Sequence, residues 1–321
     1  MPTFAGKFTK KMRVLGIWHD ATPYQKLLIL VMLLFLCGFV FTAAAAVVIS
    51  QVYGINLLTD LAAVSDMSDP VVLSAMKLMQ AFTAVGTFII PPVIAAFTFS
   101  MRPLAFLSLD KRPSWPVFLA VATIVAVSIP LINWMMVWNQ HMSLPEFMQP
   151  IENWMKASEE KAAQLTEAFL FMPRPSDLVI NLFIIALIPA IGEELLFRGV
   201  IQPLFKQLIR NTFWAILCTS ILFSAMHLQF YGFLPRMVLA MVLGYLLEWS
   251  GSLWLPMLLH FLNNSVAVLM VYFYPDINMD EIGTTGGNVW GLVISVLLTA
   301  GLLFFIYTQG RKEQVEKMSS V

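Results

Sequence analysis

One apolar stretch carries three charged side chains: Ile191-Gly192-Glu193-Glu194-Leu195-Leu196-Phe197-Arg198-Gly199. Glu194 and Arg198 are four residues apart, so on a helix they share a face and can pair. Glu193 is turned about 100° from Glu194 by the helical repeat and is left without a partner on its own helix. Two further apolar stretches each hold isolated polar groups. One reads Phe223-Ser224-Ala225-Met226-His227; the other reads His260-Phe261-Leu262-Asn263-Asn264, with His260 and Asn264 again four apart. A glutamate, two histidines and an asparagine around one cavity suit hydrolysis of an amide. Glu193, helped by His227, would act as general base on a water. His260 and Asn264 would donate hydrogen bonds to the developing oxyanion.

Each feature alone has a plainer explanation. A single histidine in an apolar helix is commonly a packed, hydrogen-bonded residue. The Glu193–Arg198 run would fit a helix end whose charges snorkel to water. The case for a site is joint, because polar groups inside a bilayer must find each other or a water-filled cavity. His19 and His141 flank apolar spans, and interfacial placement accounts for both.

The elements that must position these groups follow from composition. The chain has 321 residues, 59% apolar and 12% charged, against about 25% charged in an average soluble protein. Apolar runs of bilayer-crossing length recur. The fold class expected is all-α: a polytopic bundle of about eight transmembrane helices with a polar intramembrane cavity towards the cytoplasmic side. The spans run near 27–49, 78–100, 116–138, 178–197, 212–229, 234–249, 252–273 and 288–308. The sixth is short and the fifth follows closely on the fourth, so tilted or partly re-entrant helices are expected there. Pro91-Pro92 should kink the second span. Gly244 and Gly251-Ser252 would let helices approach closely, or mark a neutral helix position and a turn.

Four parts follow from these spans: a cytoplasmic segment 1–26, N-terminal helices and an acidic loop 27–177, a core 178–273, and a last span with its tail 274–321. Basic residues orient the bundle. Lys7, Lys10, Lys11, Arg13 and Lys26, then Arg102, Lys111 and Arg112, then Lys206 and Arg210, then Arg311, Lys312 and Lys317 fall on one side; Asp60, Asp66, Asp69, Asp276, Asp280 and Glu281 fall on the other. Both termini are expected in the cytoplasm, in a prokaryotic plasma membrane. Net charge is zero, so no basic field points to nucleic acid as a partner. Cys37 and Cys218 lie inside apolar spans and suggest no disulfide framework.

Within the long 139–176 loop, residues 146–171 place Phe147, Trp154, Met155, Leu165 and Phe169 at helical spacing among Glu159, Glu160, Lys161 and Glu167. This predicts an amphipathic helix, lying in the outer interface or simply solvated. A lid over the site is a further option.

The three motifs, taken in order, resemble the signatures of the CAAX protease and bacteriocin-processing family of intramembrane proteases: Glu193-Glu194…Arg198, Phe223…His227 and His260…Asn264. The resemblance covers about residues 178–270 and implies a membrane-embedded endopeptidase. It assigns Glu193 and His227 to water activation, His260 and Asn264 to the oxyanion, and Glu194 with Arg198 to structural support. It also implies a peptide or lipidated protein as substrate. Processing of CAAX-box proteins, bacteriocin maturation and self-immunity are all roles known in the family.

No metal is required by this scheme, so no cofactor is expected. The alternative is a zinc enzyme with His227, His260 and Glu193 as ligands, since such family members are often named metalloproteases and a His₂Glu set suits zinc. Two other readings remain: a non-catalytic scaffold or bacteriocin-immunity factor of the same fold, and a proton-coupled transporter. Against the transporter, no repeat is evident and the polar groups cluster in one half of the chain.

Overall fold

The computed structural model describes residues 15–57, 59, 66–274 and 289–319, with side chains of the last helix as far as Lys312. The expectations placed on Lys7, Lys10, Lys11, Arg13, Asp60, Asp276, Asp280, Glu281 and the Lys317 side chain lie outside the described residues. Among the described residues the chain is all-helical. The main helices are α1 (Pro23–Tyr53), α2 (Pro70–Phe99), α3 (Trp115–Val127), α4 (Ile129–Gln140), α5 (Gln149–Leu170), α6 (Pro175–Ile209), α7 (Thr212–Ala225), α8 (Phe233–Ser250), α9 (Trp254–Phe273) and α10 (Val289–Ser319).

Their ends are written in the sequence. Thr22 and Gln25 form a capping box at α1, with Pro23 in the first turn, and Gly54 closes the helix at φ +71°. The Asp69 carboxylate accepts the Val71 N–H at 2.7 Å to start α2. Asn211 caps α7 by accepting the Trp214 N–H.

Among the described residues six helices are long and apolar enough to cross a membrane, or seven if the α3–α4 pair, bent by 46°, is one span. The protein is therefore an integral membrane protein, and the count corrects the expected eight. The difference lies in the fifth expected span. α7 has 14 residues, about 21 Å of rise, which falls short of a core about 30 Å thick. It enters from one end and α8 returns to that same end, so the pair leaves the inside–outside alternation intact. The sixth span is not short: with the turn at Phe230 it forms a 21-residue apolar element. Large side chains on α1 (Leu28, Met32, Phe35, Leu36, Phe39) are exposed along one stripe, which in a bilayer is the lipid-facing side.

The second and fourth spans share one local feature. At Pro91-Pro92, where a kink is expected, α2 changes its winding and continues to Phe99. A π-helical turn at Val85–Ile89 precedes them, and the same pattern recurs in α6, where π-helical turns at Leu182–Leu187 and Phe197–Ile201 each end two residues before a proline, Pro189 and Pro203. A proline removes one N–H and crowds the preceding turn. A wider turn relieves both, so the helix continues. α6 thus runs on for 35 residues, where the charges had suggested an end near residue 197. Glu193 lies 13 residues before Lys206, about 20 Å at 1.5 Å per residue, and so sits near the middle of the helix. That position argues against the snorkelling explanation, which needs a helix end.

Basic residues gather at one end. Ser252 Oγ donates to the Lys111 carbonyl at 2.7 Å and Trp254 Nε1 to the Leu109 carbonyl at 3.1 Å. Lys206 pairs with Glu248. Gly310 lies against the α8 terminus so closely that a Cβ there would sit 2.1 Å from the Trp249 carbonyl oxygen. Residues 16–18 bond the end of α2.

α6 and α8 lie parallel, joined by three polar contacts in constant register. Arg198 donates to the Ala240 carbonyl at 3.0 Å, Gln202 to the Gly244 carbonyl at 3.1 Å, and Lys206 pairs with Glu248. Residues 198, 202 and 206 form one face of α6, while 240, 244 and 248 form one face of α8. Gly244 makes the approach possible: a Cβ there would lie 2.8 Å from Gln202 Oε1 and 2.9 Å from Ile216 Cγ2. Gly244→Leu is expected to destabilise the protein by about 1–3 kcal/mol or more through overpacking, measured as a lower midpoint of thermal unfolding in detergent.

The predicted amphipathic helix is present as α5. At its start the Glu152 carboxylate accepts the Leu144 N–H at 3.1 Å and pairs with Lys156 at 2.7 Å. The Lys156 hydrogen bond, then the backbone one, hold the Glu152 carboxyl below its usual range.

Candidate active site

Glu194 and Arg198 form the pair that their spacing predicts, with Nη1 to Oε1 at 2.9 Å and both side chains fully buried. Arg198 is held on three sides. Its other terminal nitrogen bonds the Ala240 carbonyl, and its guanidinium lies 4.6 Å from the Phe223 ring centroid, a cation–π arrangement strengthened by desolvation. The same Glu194 Oε1 also accepts from His260 Nδ1 at 2.9 Å. Glu194 therefore orients a histidine as well as neutralising an arginine, a role its spacing alone did not disclose.

This bond decides what His260 can do. A carboxylate only accepts, so Nδ1 carries the proton. The other ring nitrogen, Nε2, faces Glu193 with 3.9 Å to Oε2. In the neutral ring Nε2 would be an acceptor; in the imidazolium it is a donor. With His260 protonated, the quartet Glu193, Glu194, Arg198 and His260 has zero net charge. Glu193 Oε2 is buried without a hydrogen-bond partner among the described residues, as are Glu194 Oε2 and Arg198 Nε. Buried orphans of this kind call for a functional account. The Glu193 side chain is 13% exposed while that of Glu194 is wholly enclosed, so of the two carboxylates Glu193 is the one a small molecule can reach.

Phe223, the first residue of the second motif, is the hub. Its ring lies 5.1 Å from Phe197, 5.2 Å from His227 and 5.8 Å from His260, centroid to centroid. Both histidines thus flank one aromatic ring. His227 Nδ1 bonds the Phe223 carbonyl at 2.9 Å, which fixes the proton on Nδ1 and leaves Nε2 as an acceptor. His227 makes no hydrogen bond to Glu193. Among the described residues no three His, Cys, Asp or Glu side chains converge as a metal-binding group. The structure thus does not bring His227, His260 and Glu193 together as one ligand group.

Asn264 is positioned by α6. Its Nδ2 donates to the Ile185 carbonyl at 3.3 Å, four residues before Pro189, the carbonyl that a proline deprives of its helical donor. The side chain thereby satisfies a backbone group that proline leaves free within the membrane. One of its two amide hydrogens remains for another acceptor.

The segment carrying His227 is held from the far end of the bundle. Leu228 follows at φ +54°, a strained conformation for a branched side chain. Asn139, at the end of α4, clamps the turn with Nδ2 to the Phe230 carbonyl at 3.0 Å and Oδ1 to the Leu234 N–H at 2.7 Å. α5 closes over it: Glu159 accepts the Tyr231 N–H at 3.3 Å, and the Trp154 ring lies tilted against Phe230 with centroids 5.2 Å apart. Arg236 bonds Gln229 at 2.8 Å. Asn139→Leu would strand two backbone groups, each costing about 1–3 kcal/mol. Its expected result is at least roughly tenfold faster hydrogen exchange of amides 227–234, with α9 unchanged, read by mass spectrometry.

Comparison with known proteins bears on this same stretch. Residues 175–266 match the family described as type II CAAX prenyl endopeptidase Rce1-like, so the likeness to CAAX-type proteases carried by the three motifs is borne out there. An uncharacterized protein, YpbD, from Bacillus subtilis (strain 168) is 29% identical over 97 residues, 29% of this chain and 47% of that protein. The chain thus covers about half the length of this relative. No solved structure matches.

Proposed function

We propose that the chain is an intramembrane endopeptidase of CAAX-protease type, with Glu193 as the base. The observation that carries this reading is the unpartnered Glu193 Oε2 facing His260 Nε2 at 3.9 Å, within the stretch that resembles CAAX prenyl endopeptidases. A water between Glu193 and the scissile carbonyl loses its proton to the carboxylate and attacks the carbonyl carbon. The oxyanion takes hydrogen bonds from His260 Nε2–H and the second amide hydrogen of Asn264, which a low-dielectric surround strengthens. Glu193 then returns the proton to the leaving amine as the C–N bond breaks. His227, with Nε2 free to accept, helps to orient the water. Glu194, itself anchored by Arg198, keeps His260 aimed.

The protease core spans 178–273, with the earlier helices and α5 packed around it. The substrate is a peptide or a lipidated protein end, delivered within the bilayer of a prokaryotic plasma membrane. The clustering of Lys111, Lys206, Arg210 and Arg311 at one end supports both termini lying in the cytoplasm.

The test is incubation of the protein in liposomes with a panel of farnesylated CAAX peptides and leader-type peptides, with products read by mass spectrometry. A single internal cut in one class, absent from empty liposomes, supports the reading and identifies the substrate. Failure of the folded protein to cut any member would favour a scaffold or immunity role.

A further inference from the structure

A second polar group lies inside the apolar mass, and the proposed chemistry does not use it. Lys77, on α2, is 8% exposed. Among the described residues it makes no hydrogen bond or contact ion pair, and the Asp177 carboxylate acts on it only through space. A buried ammonium without a partner is costly, and Lys77 stands away from the end where the other basic residues gather. Its side chain lines a cavity of about 840 Å³ between the start of α2, the end of α5 and the start of α6, a volume within the range of small-molecule sites.

The neighbouring carboxylate cannot serve Lys77 fully. Asp177 Oδ2 accepts from the Arg174 backbone N–H at 3.0 Å and from Nε at 3.3 Å, and Oδ1 accepts from Nη2 at 3.2 Å. That bidentate pair is closed on itself. Glu167, also in the lining, is solvent-exposed. Of the two buried charged groups in the lining, Asp177 is taken up by Arg174, which leaves Lys77 as the buried cation with no hydrogen bond of its own among the described residues. The rest of the lining is mixed: Ser68, Ser74 and Gln164 lie at one part of it, while Leu73, Ile180 and Ile184 make an apolar stretch, with Ile180 45% exposed.

We infer that this cavity binds an anionic amphiphile, its phosphate or carboxylate head on Lys77 and its hydrocarbon tail along Ile180 and Ile184. The chemistry is shared by acidic phospholipids and free fatty acids. The site is independent of the proposed peptidase reaction, and its test reads binding alone.

The test uses native mass spectrometry of the full chain in a mild non-ionic detergent, titrated separately with phosphatidylglycerol, oleate, phosphatidylcholine and inorganic phosphate. Wild type is expected to retain one phosphatidylglycerol or oleate about tenfold more tightly than phosphatidylcholine, with no retention of inorganic phosphate. Lys77→Met should erase that preference and Lys77→Arg should keep it. Ile180→Trp, which fills the cavity and leaves the charge, should weaken retention about tenfold. Preference for phosphatidylglycerol alone would identify an acidic phospholipid as the source, and preference for oleate alone a fatty acid; either supports the site. Equal retention by Lys77→Met, equal retention of phosphatidylcholine, or retention of inorganic phosphate alone would overturn it.

Discussion

Glu193→Gln is expected to lower peptide cleavage by roughly 10²–10⁴-fold, the contribution of a positioned general base, while the protein becomes no less stable. The second half of that expectation follows from burial. Glu193 Oε2 has no hydrogen-bond partner among the described residues, so the native state buries a carboxylate oxygen unsatisfied, and a neutral amide costs less to bury there. A residue kept for structure would behave oppositely, with a stability loss accompanying any loss of activity. Cleavage rate and thermal midpoint, measured on one preparation, separate the two. A variant that unfolds, or one that cuts normally, would each contradict the assigned role.

The second large effect concerns the pair beneath the site. Arg198→Met leaves Glu194 charged, fully enclosed and short of a partner, which costs about 3–5 kcal/mol in buried pairs. It also removes the cation over Phe223 and the bond to Ala240. We expect poor accumulation and a much lower unfolding midpoint. The double variant Glu194→Met, Arg198→Met should recover much of that stability, because apolar replacement of a whole buried pair is often neutral or favourable. It should not recover activity, since His260 Nδ1 loses the carboxylate that orients it. Recovery of both would make the pair purely structural; recovery of neither would mean that Phe223 and Ala240 need the guanidinium itself.

Several parts of this arrangement were legible in the sequence because helical periodicity is local. The Glu194–Arg198 pair followed from a spacing of four, the separate helices for the three motifs from apolar runs, and α5 from alternating charge and aromatic residues. The remainder depends on register between elements, which periodicity leaves open. Nothing in the spacing shows that His260 reaches Glu194, or that Asn264 serves the carbonyl orphaned by Pro189. The ladder between α6 and α8 did leave a trace, since Arg198, Gln202 and Lys206 recur every fourth residue. Its meaning required the offset to α8. The fourth span was drawn to end near its charged residues, and the widened turn at Phe197–Ile201 lets the helix run on past Pro203. Lys77 was missed because the second span was drawn from residue 78, which put that lysine just outside the bilayer.

The most direct measurement is cleavage of one peptide substrate in liposomes by wild type and Glu193→Gln, each with and without a zinc chelator. The wild-type rate is expected to be unchanged by chelation, and the variant at least about 10²-fold slower. Loss of wild-type cleavage on chelation, restored by added zinc, would contradict that expectation and make His227, His260 and Glu193 ligands rather than base and hydrogen-bond donors.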